Sequence, residues 1–240
     1  MTFKKIVGFG DSWVWGDELL DPSLISHPHA HPVLVENTKY RESNCFIGQL
    51  GQHYDVPTEN FGIPGGSLQS TIWNYLWWLE NGTGTEDCLV LVGLTDAGRT
   101  SYYNPNHVSY SNDPPWNRYV HGAWARTKDT CYSSDWVQMI KQQTVLSDCD
   151  KLHNLNYKQT VLFFEGQSSS RNGNVLQFCT ISPPYLENSK SLLWPDKALG
   201  DLIRAEPDHS KYLATGRHPN ELGHKLIADH LISQIDSCIM

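Results

Sequence analysis

The stretch "CLVLVGLTD" at residues 88–96 restricts the fold more than any other segment. From Cys88 to Leu94 every residue is apolar or glycine. A strand with one wet face alternates polar and apolar residues. A run that is apolar at every position needs cover on both faces, which is the pattern of an inner strand of a parallel sheet. Thr95 and Asp96 then end the run in a turn.

Its neighbours fit that reading. "FKKIVGFG" (3–10) is a short strand opening into a turn, and "NVLQFCTI" (174–181) is a further strand candidate. "TVLFFEG" (160–166) is short and apolar, and is expected to be another buried strand. Helical spacing marks Phe46, Ile47, Leu50 and Tyr54 in 46–54. It marks Leu68, Ile72, Tyr75, Leu76 and Leu79 after a strand end and glycine turn in 58–82, with Ser67 as N-cap. Trp73, Trp77 and Trp78 read as core and flank of that helix. Helices are also expected over 135–155 and over 220–235, the latter with Leu222, Leu226, Ile227, Leu231 and Ile235 on one face. Residues 21–44 lack a period and read as a long loop; residues 100–133 read as a long aromatic-rich loop. Strands alternating with helices imply an α/β fold with a parallel sheet covered on both faces. No repeat or linker divides the chain, so residues 1–240 are expected to form one domain.

Composition narrows the partners. With 39% hydrophobic and 11% aromatic residues, the chain is globular. A net charge of −8 argues against nucleic acid and anionic membranes, because no basic patch displaces counterions. No apolar run approaches the roughly 20 residues of a membrane span. "MTFKKIVGFG" is too short in apolar residues for a secretory leader. Six cysteines without Cys-x-x-Cys spacing read as reduced thiols, so a cytoplasmic protein is expected; a virion component made in a host cell would look the same.

In such sheets ligands bind beyond the carboxyl ends of the strands. The loop after the first strand carries Gly10-Asp11-Ser12; the next carries "FGIPGGS"; the third carries "GLTDAGR". Serine is a weak nucleophile until a base takes its proton. His218, in "TGRHPNELGH" before the last helix, is a candidate base, with Pro219 fitting the first helical turn. The glycine amides of the second loop could approach a ligand closely. Asp96 and Arg99 either pair with each other or, with Asp11, face the substrate. Asp17 and Glu18 follow the site turn and are expected to be exposed carboxylates, with lining of the pocket mouth the alternative. His27, His29 and His31 alternate in a Pro-rich loop without a fixed scaffold, so no metal is expected, and no organic cofactor. His224 is expected to face a neighbouring segment of the fold. Tyr102, Tyr103, Tyr110, Trp116, Tyr119 and Trp124 form either a sugar-stacking wall or lid or simply a packed excursion.

"GFGDSW", "FGIPGGS", "VGLTD" and "GRHPNELGH", in this order from residue 7 to 224, resemble the four blocks of the GDSL or SGNH hydrolase superfamily. The resemblance implies a three-layer α/β/α flavodoxin-like fold and hydrolysis of esters, often acetyl or acyl groups on sugars and lipids. It implies Ser12 as nucleophile and His218 as base. The backbone N–H groups of Ser12 and Gly65 would be oxyanion donors, with Gly66 the alternative to Gly65.

Two positions depart from the pattern. The third block's Asn, an oxyanion donor, is Thr95, whose hydroxyl can donate one hydrogen bond. The last block's Asp, three residues before the His, is Thr215. A backbone carbonyl could then orient the ring, giving a Ser12–His218 dyad; Asp208 is the nearest upstream acid. The expectation is an SGNH-like serine esterase or acyl hydrolase, with an O-acetylated carbohydrate as substrate. The alternative is a catalytically silent SGNH-like binding or structural protein, for instance of a phage.

Overall fold

The computed structural model describes residues 3–26, 32, 34–82, 84–96, 99–103, 119–122, 149–171, 174–181, 192–194 and 196–239. His27, His29, His31, Tyr110, Trp116 and Trp124, and the helix expected from 135 as far as 148, lie outside these residues.

The elements are β1 (Lys5–Gly10), α1 (Ser12–Trp15), α2 (Thr38–Asn44), α3 (Phe46–Tyr54), β2 (Thr58–Gly62), α4 (Leu68–Asn81), β3 (Cys88–Leu94), β4 (Thr100–Tyr103), β5 (Tyr119–Gly122), α5 (Cys149–Ser170), β6 (Val175–Cys179), α6 (Leu199–Arg204) and α7 (Glu221–Ile239). Four strands form a parallel sheet in the order β2-β1-β3-β6. Leu192 and Ala198 make isolated parallel bridges to Gln177 and Cys179 of β6, extending pairing outward in the same sense. The order is that of doubly wound flavodoxin-like sheets.

The sheet is the middle of three layers. Alternate side chains leave it on opposite sides, so Ile6, Leu89, Leu91, Leu176 and Phe178 enter one core with Phe46, Ile47, Leu50, Ile227 and Leu231. Val7, Phe9, Val90, Val92 and Val175 enter the other with Leu68, Tyr75, Trp78, Val161 and Phe164. The run at 88–94 is buried at every position, as its composition requires. The second core is aromatic: Tyr75 meets Phe9 and Phe164 edge-on, with centroids 5.5 and 5.2 Å apart. Such pairs add about 0.5–1.5 kcal/mol beyond the area they bury.

The structure corrects several sequence expectations. "TVLFFEG" is not a strand but part of α5. Tyr157, Thr160, Val161 and Phe164 are buried, whereas Leu162 is 64% exposed. That spacing is one face of a helix, and a short apolar run cannot distinguish the two by itself. Residues 21–44, expected to be loop, contain α2. In α4, Ser67 caps the helix as expected, accepting from the Ser70 N–H (3.2 Å). Leu68 and Tyr75 are buried, but Trp78 takes the place expected for Leu76, which is exposed. On α7, Ile227, Leu231 and Ile235 face the core and Leu222 faces solvent. Pro219 precedes that helix, and the Asn220 side chain caps it by accepting from the Gly223 N–H (3.0 Å). β4 and β5, in the expected aromatic-rich loop, pair antiparallel as a separate ribbon. Cys45, Cys88 and Cys179 are free and buried. Among the described residues, no helix is long and apolar enough to cross a membrane.

Candidate active site

β1 ends at Gly10, and Asp11 starts a helical turn. Its Oδ1 accepts from the Trp13 N–H (3.0 Å), capping α1. The turn stops at once because Gly16 adopts a left-handed conformation (φ 85°) and its N–H returns to the Ser12 carbonyl (3.1 Å). Ser12 is thereby held at the first position of a one-turn helix at the carboxyl end of the sheet. There its N–H has no intrahelical acceptor.

His218 arrives from the far end of the chain. Its loop closes as a small antiparallel turn: the Ala214 N–H donates to the His218 carbonyl (2.8 Å), and Leu213 bridges Pro219. The turn places His218 Nε2 2.9 Å from Ser12 Oγ. Ser12 is buried at 3% exposure, and the His218 side chain keeps 25%. The two residues expected to meet are within hydrogen-bond distance.

Sequence reasoning missed what stands behind the ring. Glu18 Oε2 lies 3.1 Å from His218 Nδ1 and accepts from the His218 backbone N–H at the same distance. Glu18 Oε1 accepts from the Gly216 N–H (2.7 Å). The available signal was the acidic pair directly after the site turn, whose expected state was exposed, with lining of the pocket mouth the alternative. Asp17 does lie near the mouth: its Oδ2 is 3.7 Å from His218 Nε2. Asp208 is engaged elsewhere, with Lys211 and Ser210 (2.8 Å each). Thr215 is exposed.

The remaining predicted residues separate into two groups. Gly65 stands at the rim with φ 71°, and its N–H has no backbone acceptor among the described residues. The Gly66 N–H is used by the Ile63 carbonyl (2.8 Å). Asp96 is exposed at the rim. Asp11, expected to face substrate, points inward and is fully buried. Its Oδ2 accepts from Thr95 Oγ1 (2.8 Å) and Thr180 Oγ1 (2.9 Å), and Arg99 Nη1 lies 3.3 Å away. Arg99 Nη1 also reaches the Gly66 carbonyl (3.4 Å). One carboxylate therefore ties together the segments that follow β1, β3 and β6, and through Arg99 the loop after β2. Arg99 directs its guanidinium to Asp11, and its backbone N–H meets the Asp96 carbonyl (3.1 Å). The single hydroxyl proton of Thr95 is directed at Asp11.

His224 sits in the core beneath the site. Its Nδ1 accepts from the Phe46 N–H (3.3 Å), and burial, with a smaller contribution from nearby His218, pushes its pKa down to about 3. It is a neutral core imidazole.

No family model matches the sequence, and no curated protein does. Solved structures with a similar chain course are lipolytic proteins of the G-D-S-L family and acetylxylan esterases. A protein assigned to the G-D-S-L lipolytic family from Desulfitobacterium hafniense DCB-2 is 12% identical, with 96% of this chain and 99% of the other covered and a TM-score of 0.45. A lipase/acylhydrolase from Enterococcus faecalis is 14% identical (98% and 96% covered, TM-score 0.44). The acetylxylan esterase Axe2 from Geobacillus stearothermophilus is 14% identical (97% and 94% covered, TM-score 0.45). This likeness concerns the course of the backbone.

Proposed function

We propose that this protein is a serine ester hydrolase in which Ser12 is the nucleophile and His218 the base. The observation that carries the reading is the 2.9 Å separation of Ser12 Oγ and His218 Nε2 at the carboxyl end of a parallel sheet. A nucleophile needs its base within about 2.6–3.2 Å.

His218 Nε2 takes the hydroxyl proton as Ser12 Oγ attacks the ester carbonyl. The carbonyl oxygen becomes an oxyanion facing the N–H groups of Ser12 and Gly65, neither of which has a backbone acceptor among the described residues. Fixed amide donors favour this charge because they need not reorient as it develops. Collapse expels the alcohol, which receives its proton from His218. Water, deprotonated by the same nitrogen, then releases the acid and restores Ser12. Thr95 has a supporting part: its hydroxyl holds Asp11, which caps the turn that carries Ser12.

A fluorophosphonate probe tests the reading. Wild-type protein is expected to be labelled, and Ser12→Ala to lose the label with its circular dichroism unchanged. A correctly folded wild-type protein that takes no label, and cleaves no p-nitrophenyl acetate, refutes it. That result would favour a silent binding protein on the same fold.

A further inference from the structure

We infer that Glu18 is the acid of the site, supplying from the loop after the nucleophile the carboxylate that the last block lacks at Thr215. This inference rests on the Ser12–His218 reading above and adds a positioning residue to it.

The contacts define the tautomer. Both Glu18 oxygens accept from backbone N–H groups: Oε1 from Gly216 (2.7 Å) and Oε2 from His218 (3.1 Å). Oε2 also lies 3.1 Å from Nδ1. An accepting oxygen pairs with Nδ1 only when that nitrogen carries the ring proton. Nε2 is then the unprotonated nitrogen, and it is the one 2.9 Å from Ser12 Oγ. A general base in this position needs that arrangement, and a carboxylate behind the ring also stabilises the imidazolium once the proton has moved.

The position is built rather than incidental. Glu18 has φ 66°, a left-handed conformation that side-chain-bearing residues rarely adopt. Its N–H donates to Asp17 Oδ1 (3.0 Å). The next residue, Leu19, is buried at 2% exposure, and its carbonyl accepts from Asn37 Nδ2 (2.8 Å). Surroundings that hold a strained backbone in place are a recurring mark of functional positions. On the opposite side, a Cβ at Gly216 would come within 2.5 Å of Glu18 Oε1, so the close approach depends on glycine. Neither nearby acid competes. Asp17 faces Nε2 rather than Nδ1, and Asp208 is bound to Lys211.

The arrangement differs from the one implied by the sequence blocks, in which base and acid share one loop. Here nucleophile and acid share the excursion after β1, and His218 is inserted between them from the other end of the chain. The same carboxylate orients the ring and clamps the loop that carries it.

The test uses Glu18→Gln, which keeps the shape and removes the charge. Amide replacement of the acid in a Ser-His-Asp triad lowers kcat by about 10⁴-fold. Glu18→Gln is expected to lower kcat by roughly 10³–10⁴-fold with KM little changed. In proton NMR, the wild-type His218 Nδ1–H is expected far downfield, assigned by its loss in His218→Ala, and to move upfield in Glu18→Gln. If Glu18→Gln does not fold, Glu18→Asp provides the same readings with the charge on a shorter arm: a lower kcat and a displaced Nδ1–H signal support the assignment. An unchanged signal together with an unchanged labelling rate in a folded Glu18 variant overturns it. A downfield signal that depends on Glu18, in wild-type protein that takes no label, would refute the hydrolase reading and leave the Glu18–His218 pairing standing.

Discussion

Replacing Asp11 with alanine is expected to weaken the whole carboxyl end of the sheet. Asp11 is fully buried, and Arg99, its cationic partner, keeps 15% of its side chain exposed. Removing one member of a buried ion pair costs about 3–5 kcal/mol, because the other charge is left uncompensated. Water reaches part of Arg99, which moves the loss toward the lower figure. The helix cap at Trp13 is lost as well, adding about 1 kcal/mol. The hydroxyls add less: Thr180 Oγ1 already has the Leu94 carbonyl at 3.2 Å and can turn to it. The sum is about 4 kcal/mol, against a typical domain stability of about 5–15 kcal/mol. At roughly 2–4 °C per kcal/mol for a domain of this size, Tm should fall by about 8–16 °C. Urea unfolding followed by circular dichroism, with a thermal melt alongside, measures both quantities. Asp11→Asn keeps an acceptor for the Trp13 N–H and removes only the charge, so it should lose about half as much. A loss below about 1 kcal/mol in a folded Asp11→Ala protein would contradict the claim that this carboxylate ties the strand ends together.

Thr95→Val separates support from catalysis: if the hydroxyl only holds Asp11, stability falls by about 1–2 kcal/mol while the labelling rate stays within several-fold. A rate loss of about 10²–10³-fold would instead identify Thr95 as an oxyanion donor. His224 predicts a pH dependence. Its folded pKa of about 3 lies below the unfolded value of 6.5. Above pH 6.5 the ring is neutral in both states and contributes no slope. Between 6.5 and 3 only the unfolded chain binds the proton. Stability should therefore fall by up to about 1.4 kcal/mol per pH unit on acidification, and urea titrations at several pH values should show a flatter profile in His224→Gln.

Much of the architecture was legible before any coordinates. The unbroken apolar run at 88–94 required cover on both faces, and Ile6–Phe9 supplied side chains for both. Ser67 marked the start of α4, and the glycine-rich turns marked the strand ends where a site would lie. Ser12 and His218 were candidates because a strand end with a small turn and a loop before a helix stand, with two further blocks between them, in the order of one superfamily's pattern; the fold brings the two side chains to 2.9 Å. The inferences about strands and helix starts use periods of a few residues, which sequence carries directly.

Tertiary structure decided the rest. Whether "TVLFFEG" is helix or strand depended on what it packs against, because a short apolar run suits either, and only the burial of Tyr157, Val161 and Phe164 on one face resolves it. Asp11 and Thr95 looked like groups facing a ligand, yet Asp11 gathers the Thr95 and Thr180 hydroxyls and Arg99 inside the sheet's end, a convergence created by strand order. Glu18 reaches His218 across 200 residues of chain, through a left-handed backbone turn held by Leu19 and Asn37. Local pattern records which face a residue prefers. It does not record which distant partner the fold brings to that face, because that depends on the order and register of strands far apart in sequence.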